Sequence, residues 1–418
     1  MSVSATVIRA RWLIPARAPA IEDGAAVCAD GRIVRVGPWS KIKPHVGPGD
    51  SVEAFSDGAI LPGFVNAHTH LSLSDLAGKF APTSDFAGWI ARLVAKRLVR
   101  TKSAIRRSVR KGIAEGLAAG TVAGADVTPD AAWSGEFSEP AGRWTVFGEL
   151  VRFGPAGLKR LRHTVKTLEG IGAAGLRVGL APHAPYSTGL DVYREARREA
   201  DRRGWPLSTH LHETPDEIAF TESGNGSLYD LIARYGLLPR GWRPAGVRPI
   251  PMLAEGGFFS GAVLAAHANY LTDEEIRILA RSGSSVAWCP RSHAFFKHAD
   301  HPWRRLLAAG VNVCLGTDSL ASSPSLSVLD EMRFLFGRHP DADARTLLRM
   351  GTLDGARALG LEGELGDLAQ GMRADFVVVG PIAETADPLG AILSGEGNPV
   401  RTFLGGKEGK KEEETRAA

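Results

Sequence analysis

Two of the chain's histidines, His68 and His70, stand two positions apart in the stretch LPGFVNAHTHL (61–71). In an extended chain residues i and i+2 project to the same side. Two imidazoles at the end of a short apolar run could therefore grip one metal ion. Other apolar runs end in the side chains such a site would need: Asp126, Glu149 with Arg152, His183, the group His210/His212/Glu213, His267, the Cys289-Pro290 pair and Asp318. Imidazoles with a carboxylate suit Zn²⁺, with Fe²⁺ as the rival, better than Mg²⁺, which prefers oxygen ligands. His68, His70 and His210 would supply nitrogen and Asp318 oxygen to one divalent ion. A further position stays open for water, whose pKa such an ion lowers toward neutrality. The implied chemistry is hydrolysis.

The elements that position these residues follow from the apolar runs themselves. Eight recur, at 59–68, 121–128, 144–151, 177–184, 206–213, 262–269, 284–290 and 311–318. Helix-like segments lie between them, such as 156–169, 190–204 and 273–282, the last opening on the capping-box pattern Thr272-Asp273-Glu274-Glu275. Strands alternating with helices imply parallel βα units, and eight imply an α/β (β/α)8 TIM barrel over 59–363, whose chemistry gathers at the C-terminal strand ends. Residues 1–58 have strand-and-turn texture, with Asp30-Gly31 as a hairpin signal. Residues 364–404 return to that texture, so both chain ends are expected to build a small flanking β-sandwich domain. The charged tail 405–418 is expected to be disordered.

Bulk composition excludes several classes. A chain of 418 residues, 44% hydrophobic and 23% charged, with no apolar run long enough for a bilayer, reads as a soluble globular protein without a membrane partner. A formal charge of +4 gives no ground for nucleic acid. The basic span 92–111 spaces its charges among Leu, Val and Ile as a solvated helix face does. The N-terminus lacks a signal-peptide pattern, and three unpatterned cysteines suit a reducing, cytoplasmic setting.

The pieces PGFVNAHTH (62–70), APHAPYS (181–187), HLHET (210–214), LAAHANYL (264–271), LGTDSLASSPSLSVLDEMR (315–333) and GTLDGARALGLEGELGDLAQGMRADFVVV (351–379) together resemble the amidohydrolase superfamily, in its cytosine deaminase-like branch. The resemblance implies a barrel with a flanking β-sandwich and a possible homodimer. Residue by residue, it implies His68, His70, His210 and Asp318 as metal ligands. It also implies Glu213 as the acid that shuttles a proton to a substrate ring nitrogen, His267 as the group polarising water or oxyanion, and His183 as a substrate contact. No lysine stands in RVGLAPHAP (177–185), which argues for one metal rather than a lysine-bridged pair.

The order of residues 210–213 leaves a tension. Strict alternation puts His212, not Glu213, on the same side as His210, whereas the resemblance requires a bend near residue 212. His293, His298 and His301 follow the seventh run and could touch substrate or a second ion; Cys289 reads as a small buried residue. The long connection 214–261 reads as a lid large enough for a nucleoside. Arg152 or Arg291 could meet a substrate carboxylate. The expected activity is hydrolytic deamination of an aminated purine nucleoside, a small-molecule substrate, with aminodeoxyfutalosine favoured. The alternatives are methylthioadenosine/S-adenosylhomocysteine deamination, or chlorohydrolase or amide hydrolase chemistry on the same scaffold.

Overall fold

The computed structural model describes residues 4–130, 135–137 and 143–409. Four strands open the chain: β1 (Thr6–Leu13), β2 (Ile21–Ala29), β3 (Arg32–Pro38) and β4 (Ser51–Pro62). Eight parallel strands follow: β5 (Phe64–Thr69), β6 (Thr121–Thr128), β7 (Arg143–Leu150), β8 (Arg177–Pro182), β9 (Ser208–Leu211), β10 (Leu264–His267), β11 (Ser285–Trp288) and β12 (Asn312–Leu315). The last three are β13 (Phe376–Gly380), β14 (Asn398–Leu404) and β15 (Lys407–Glu408).

β5 to β8 pair in sequence, as do β9 to β12. Parallel bridges Leu180↔Leu207 and Thr69↔Asp318 join the two halves into a closed (β/α)8 barrel. Its main core lies between strands and outer helices, where Leu180, Leu211, Val286 and Leu315 meet Val165, Leu168, Val192 and Leu279. Helices Gly154–Ala173, Leu190–Arg203 and Asp273–Arg281 occupy the expected segments, and Thr272 with Glu275 forms a complete capping box. The basic span divides into two helices, Phe86–Leu98 and Lys102–Ala118.

The flanking β unit is one seven-stranded sheet in the order β15-β14-β13-β4-β1-β2-β3, so strands from both chain ends interleave. It bends around a core of Ile8, Ile33, Ile60, Phe376 and Phe403. The apolar run 59–68 serves two units, because β4 ends at Pro62 in this sheet and β5 begins the barrel at Phe64. Gly63 makes the junction, where a Cβ would lie 2.4 Å from the Val122 methyls. Ordered structure continues past residue 404, into the span expected to be a tail: Gly405 and Gly406 both take positive φ and turn the chain, so Lys407 and Glu408 pair back on Leu404 and Phe403. Residues 410–418 lie outside the described residues. Among the described residues, no helix is long and apolar enough to cross a membrane.

The 214–261 connection has two parts. Phe220, Leu228, Ile232 and Trp242 join Leu73, Trp89, Tyr186 and Phe296 in a cluster at the C-terminal ends of the strands. Ile250 and Leu253 instead pack into the outer barrel core. Only the first part roofs the mouth.

Candidate metal and catalytic site

β5 carries His68 buried at its end, with His70 just beyond, and β9 carries His210. His70 donates from Nδ1 to the Val127 carbonyl, and His210 donates from Nδ1 to the His183 carbonyl, each at 3.0 Å. These bonds fix both tautomers, because a carbonyl can only accept. In that tautomer a neutral ring would be left with a bare lone pair on Nε2, and the two Nε2 atoms face each other at 3.0 Å. Two lone pairs at that distance repel unless a cation lies with them. His68 adds two buried ring nitrogens with no hydrogen-bond partner.

Asp318 completes the set. One of its oxygens lies 3.7 Å from His70 Nε2, while the other accepts from the Ser292 and Ser322 hydroxyls at 2.7 Å each. Burial, reinforced by neighbouring imidazoles, holds His68 and His210 well below the usual histidine range, so both rings are neutral and able to ligate. Three imidazole nitrogens and a carboxylate oxygen, with outer hydrogen bonds fixing two rings and the carboxylate, suit one divalent ion of the zinc type.

Beside this set, ligating atoms of Glu213, His267 and Asp318 lie within 4.8 Å of one another. Glu213 Oε1 is 3.6 Å from His267 Nε2. Burial, with the charges of Asp318 and Glu217, pushes Glu213 well above the usual carboxylate range; burial pulls His267 down to about 4.

A backbone bend resolves the tension at residues 210–213. β9 ends at Leu211, and His212 takes a φ of +50°. The bend turns His212 away from the mouth, toward the Tyr270 carbonyl at 2.9 Å and Glu275 at 3.5 Å, and brings Glu213 beside His267. Glu217, which sequence reasoning missed, holds this bend. Its two oxygens accept from the His212 and Glu213 backbone N–H groups at 2.9 and 3.2 Å. Thr214 caps the helix Pro215–Ser223, in which Glu217 is the third residue. A capping-box pattern, T-x-x-E, was the available signal, but here the glutamate reaches the two residues before the cap. Positive φ recurs at His267 (+70°), Ala268 (+53°) and Asp318 (+57°), so backbone strain gathers at this one face.

The other expected residues fall elsewhere. His183 lies in the mouth, with Nδ1 2.6 Å from the Ser187 hydroxyl. Arg152 is exposed. Arg291 does not meet the mouth. Its guanidinium donates to Glu331 at 2.8 Å, to the Ser325 hydroxyl at 3.0 Å, and to the Ser325 and Ser327 carbonyls, because helix Val328–Arg338 sets Glu331 beneath it. His293, His298 and His301 do not gather around a second ion. They brace loops: His293 contacts Asn269 Oδ1 at 3.1 Å and donates to the Ala299 carbonyl, His298 contacts the Tyr270 hydroxyl, and His301 donates to the His267 carbonyl at 2.8 Å. Cys289 is buried, and burial pushes its thiol well up.

A closed parallel barrel with a histidine-carboxylate cluster at its C-terminal face defines a metal-dependent barrel hydrolase. The amidohydrolase family model matches residues 59–409. The chain belongs to the amidohydrolase family and is a hydrolase acting on C–N bonds. It is 32% identical over 380 residues, covering 88% of this chain and 83% of the relative, to a 5-methylthioadenosine/S-adenosylhomocysteine deaminase of Moorella thermoacetica. It is similar to an adenosine deaminase of Xanthomonas campestris solved with bound zinc (27% identity, TM-score 0.81, 97% of this chain and 92% of that one). The aminofutalosine deaminase of Helicobacter pylori, in complex with methylthio-coformycin, shares the fold at TM-score 0.86 and 24% identity, over 96% of this chain and 99% of that one.

Proposed function

We propose that this protein hydrolytically deaminates the purine ring of a 5′-modified adenosine of the methylthioadenosine class, releasing ammonia. The observation that carries the reading is the pair of bare Nε2 atoms of His70 and His210, facing each other at 3.0 Å beside the buried pair of Glu213 and His267. His68, His70, His210 and Asp318 would hold the ion, zinc ahead of iron. That ion supplies a Lewis acid that makes water nucleophilic near neutral pH.

The remaining steps belong to the chain's own groups. Burial favours the protonated form of Glu213. It can give that proton to the ring nitrogen next to the attacked carbon, offsetting the loss of aromaticity on addition. His267, 3.6 Å from it, stabilises charge on the added oxygen, and Glu213, now a carboxylate, takes the proton of the added hydroxyl and passes it to the amino group, which leaves as ammonia. His183, in the mouth, would contact the substrate. One relative named for 5-methylthioadenosine and S-adenosylhomocysteine and one named for adenosine support the class.

A substrate carboxylate would call on Arg152 or Arg291. Arg291 is engaged by Glu331 and Arg152 is exposed, so a neutral 5′ tail fits better. The test incubates metal-loaded protein with 5′-methylthioadenosine, 5′-deoxyadenosine, S-adenosylhomocysteine, aminodeoxyfutalosine and a chlorinated triazine. Ammonia from the first two is expected to exceed that from aminodeoxyfutalosine. Chloride release without ammonia would establish chlorohydrolase chemistry instead.

A further inference from the structure

Glu149 ends β7 and has no part in the chemistry above. The residue before it, Gly148, faces the helix Gly154–Ala173: a Cβ there would lie 2.4 Å from Thr164 Cγ2 and 3.0 Å from Leu168 Cδ1. Alternation therefore turns Glu149 to the barrel interior, at the mouth end. The residue is only 5% exposed. Buried carboxylates normally collect donors at about 2.7–2.9 Å. This one accepts a hydrogen bond from no described residue. Its nearest cationic or imidazole nitrogens are His183 Nε2, 3.9 Å from one oxygen, and the Arg97 guanidinium, 3.9 Å from the other. Burial pushes Glu149 up, but His183, Arg97, His70 and Arg160 together hold the carboxyl below its usual range. A buried carboxylate with open lone pairs in a substrate mouth is an acceptor awaiting a donor.

We infer that Glu149 is a specificity-determining residue that accepts hydrogen bonds from a donor group of the substrate, a sugar hydroxyl or an ammonium on the 5′ tail, and opposes carboxylated tails. Arg97, in the last turn of helix Phe86–Leu98, balances the charge of Glu149 from the rim. The inference rests on the nucleoside reading above, to which it adds an acidic group as the reader of the substrate's periphery.

The test measures kcat/KM for ammonia release by wild type, Glu149→Gln and Glu149→Asp, with metal content recorded for each. The substrates are adenosine, 2′-deoxyadenosine, 3′-deoxyadenosine, 5′-amino-5′-deoxyadenosine, 5′-methylthioadenosine and S-adenosylhomocysteine. Wild type is expected to favour the donor-bearing member of a pair by about 10–100-fold. A hydroxyl donor shows in the deoxy comparisons, and an ammonium donor shows in 5′-amino-5′-deoxyadenosine against 5′-methylthioadenosine, whereas the tail of S-adenosylhomocysteine also carries the opposed carboxylate. Glu149→Gln should shrink that preference to within about 3-fold at unchanged metal content, and Glu149→Asp should restore part of it. An equal loss for every substrate, or no change for any, overturns the assignment. Absence of ammonia from every nucleoside with wild type would instead overturn the underlying reading, and Glu149's role with it.

Discussion

Replacing Glu217 with alanine should separate the bend from the metal. The carboxylate is fully buried and is the acceptor for two buried backbone N–H groups, those of His212 and Glu213, at 2.9 and 3.2 Å. Alanine removes both acceptors. Each orphaned donor costs about 1–3 kcal/mol, or roughly 2–6 kcal/mol together. Removing a side chain that is itself costly to bury, its carboxyl pushed up to about 8, returns part of this. A net destabilisation of about 2–4 kcal/mol is expected. Without Glu217, His212 has little to keep it at a φ of +50°, a conformation that costs about 1–3 kcal/mol. Relaxation there would draw Glu213 away from His267. A misplacement of about 1 Å can cost roughly 10²-fold in rate, so kcat should fall by about that factor with KM little changed. Among the described residues, no hydrogen bond or ion pair joins Glu217 to any of the four residues proposed to hold the ion, so metal content should stay normal. The assay combines urea unfolding, elemental analysis and ammonia kinetics. An alanine variant within about 0.5 kcal/mol of wild type, with kcat intact, would refute the reasoning; lost metal would refute the separation of bend from ion.

Asp318→Asn should keep the fold and lose metal affinity by at least about 10-fold, read by elemental analysis after dialysis. Glu213→Gln should keep its metal and lose about 10²–10⁴-fold in kcat; near-normal turnover would end the proton-transfer role. Arg291→Met should destabilise by about 3–5 kcal/mol, because Glu331 is left buried without its cation, while KM for nucleosides stays put. The cost should shrink below the pH where Glu331, pushed up to about 7 by burial, takes a proton. Burial also raises Glu217 from 4.5 to about 8, so the native state holds that proton more tightly than the unfolded chain. Its contribution to stability is therefore complete below about pH 4.5 and is lost as pH rises to about 8. Glu217→Gln should flatten the stability profile across that window, as followed by denaturation at several pH values.

Much of the barrel was legible because its strands are short apolar runs that end in polar residues. The histidine-carboxylate cluster was legible because histidine is scarce enough for six at strand ends to stand out. Glu213 could be placed only through the family resemblance, since alternation pointed to His212. What decides between them is the positive φ of His212, which depends on Glu217 five residues later and on Asn269 from another strand end donating to the Glu213 carbonyl. Arg291 looked available because Glu331, its partner, is 40 positions away in sequence. The run 59–68 looked like one strand because apolar content continues across Gly63, and only the approach of Val122 reveals the break. Likewise, charge in the tail concealed a two-glycine turn.

The interleaved sheet has a consequence for biosynthesis. β4 pairs with β1 on one side and with β13 on the other, and Leu61 meets Val377 across about 300 intervening residues. At roughly 5–20 residues per second, the ribosome needs about 15–60 s to deliver that partner. During that interval the nascent β4 presents an open edge, a template for pairing with any other extended chain. Folding yield should therefore depend on translation rate and on chaperones that shield this edge. A C-terminal truncation that removes β13 and β14 would leave the edge open permanently, and is expected to drive the chain into aggregates although every barrel strand is still present.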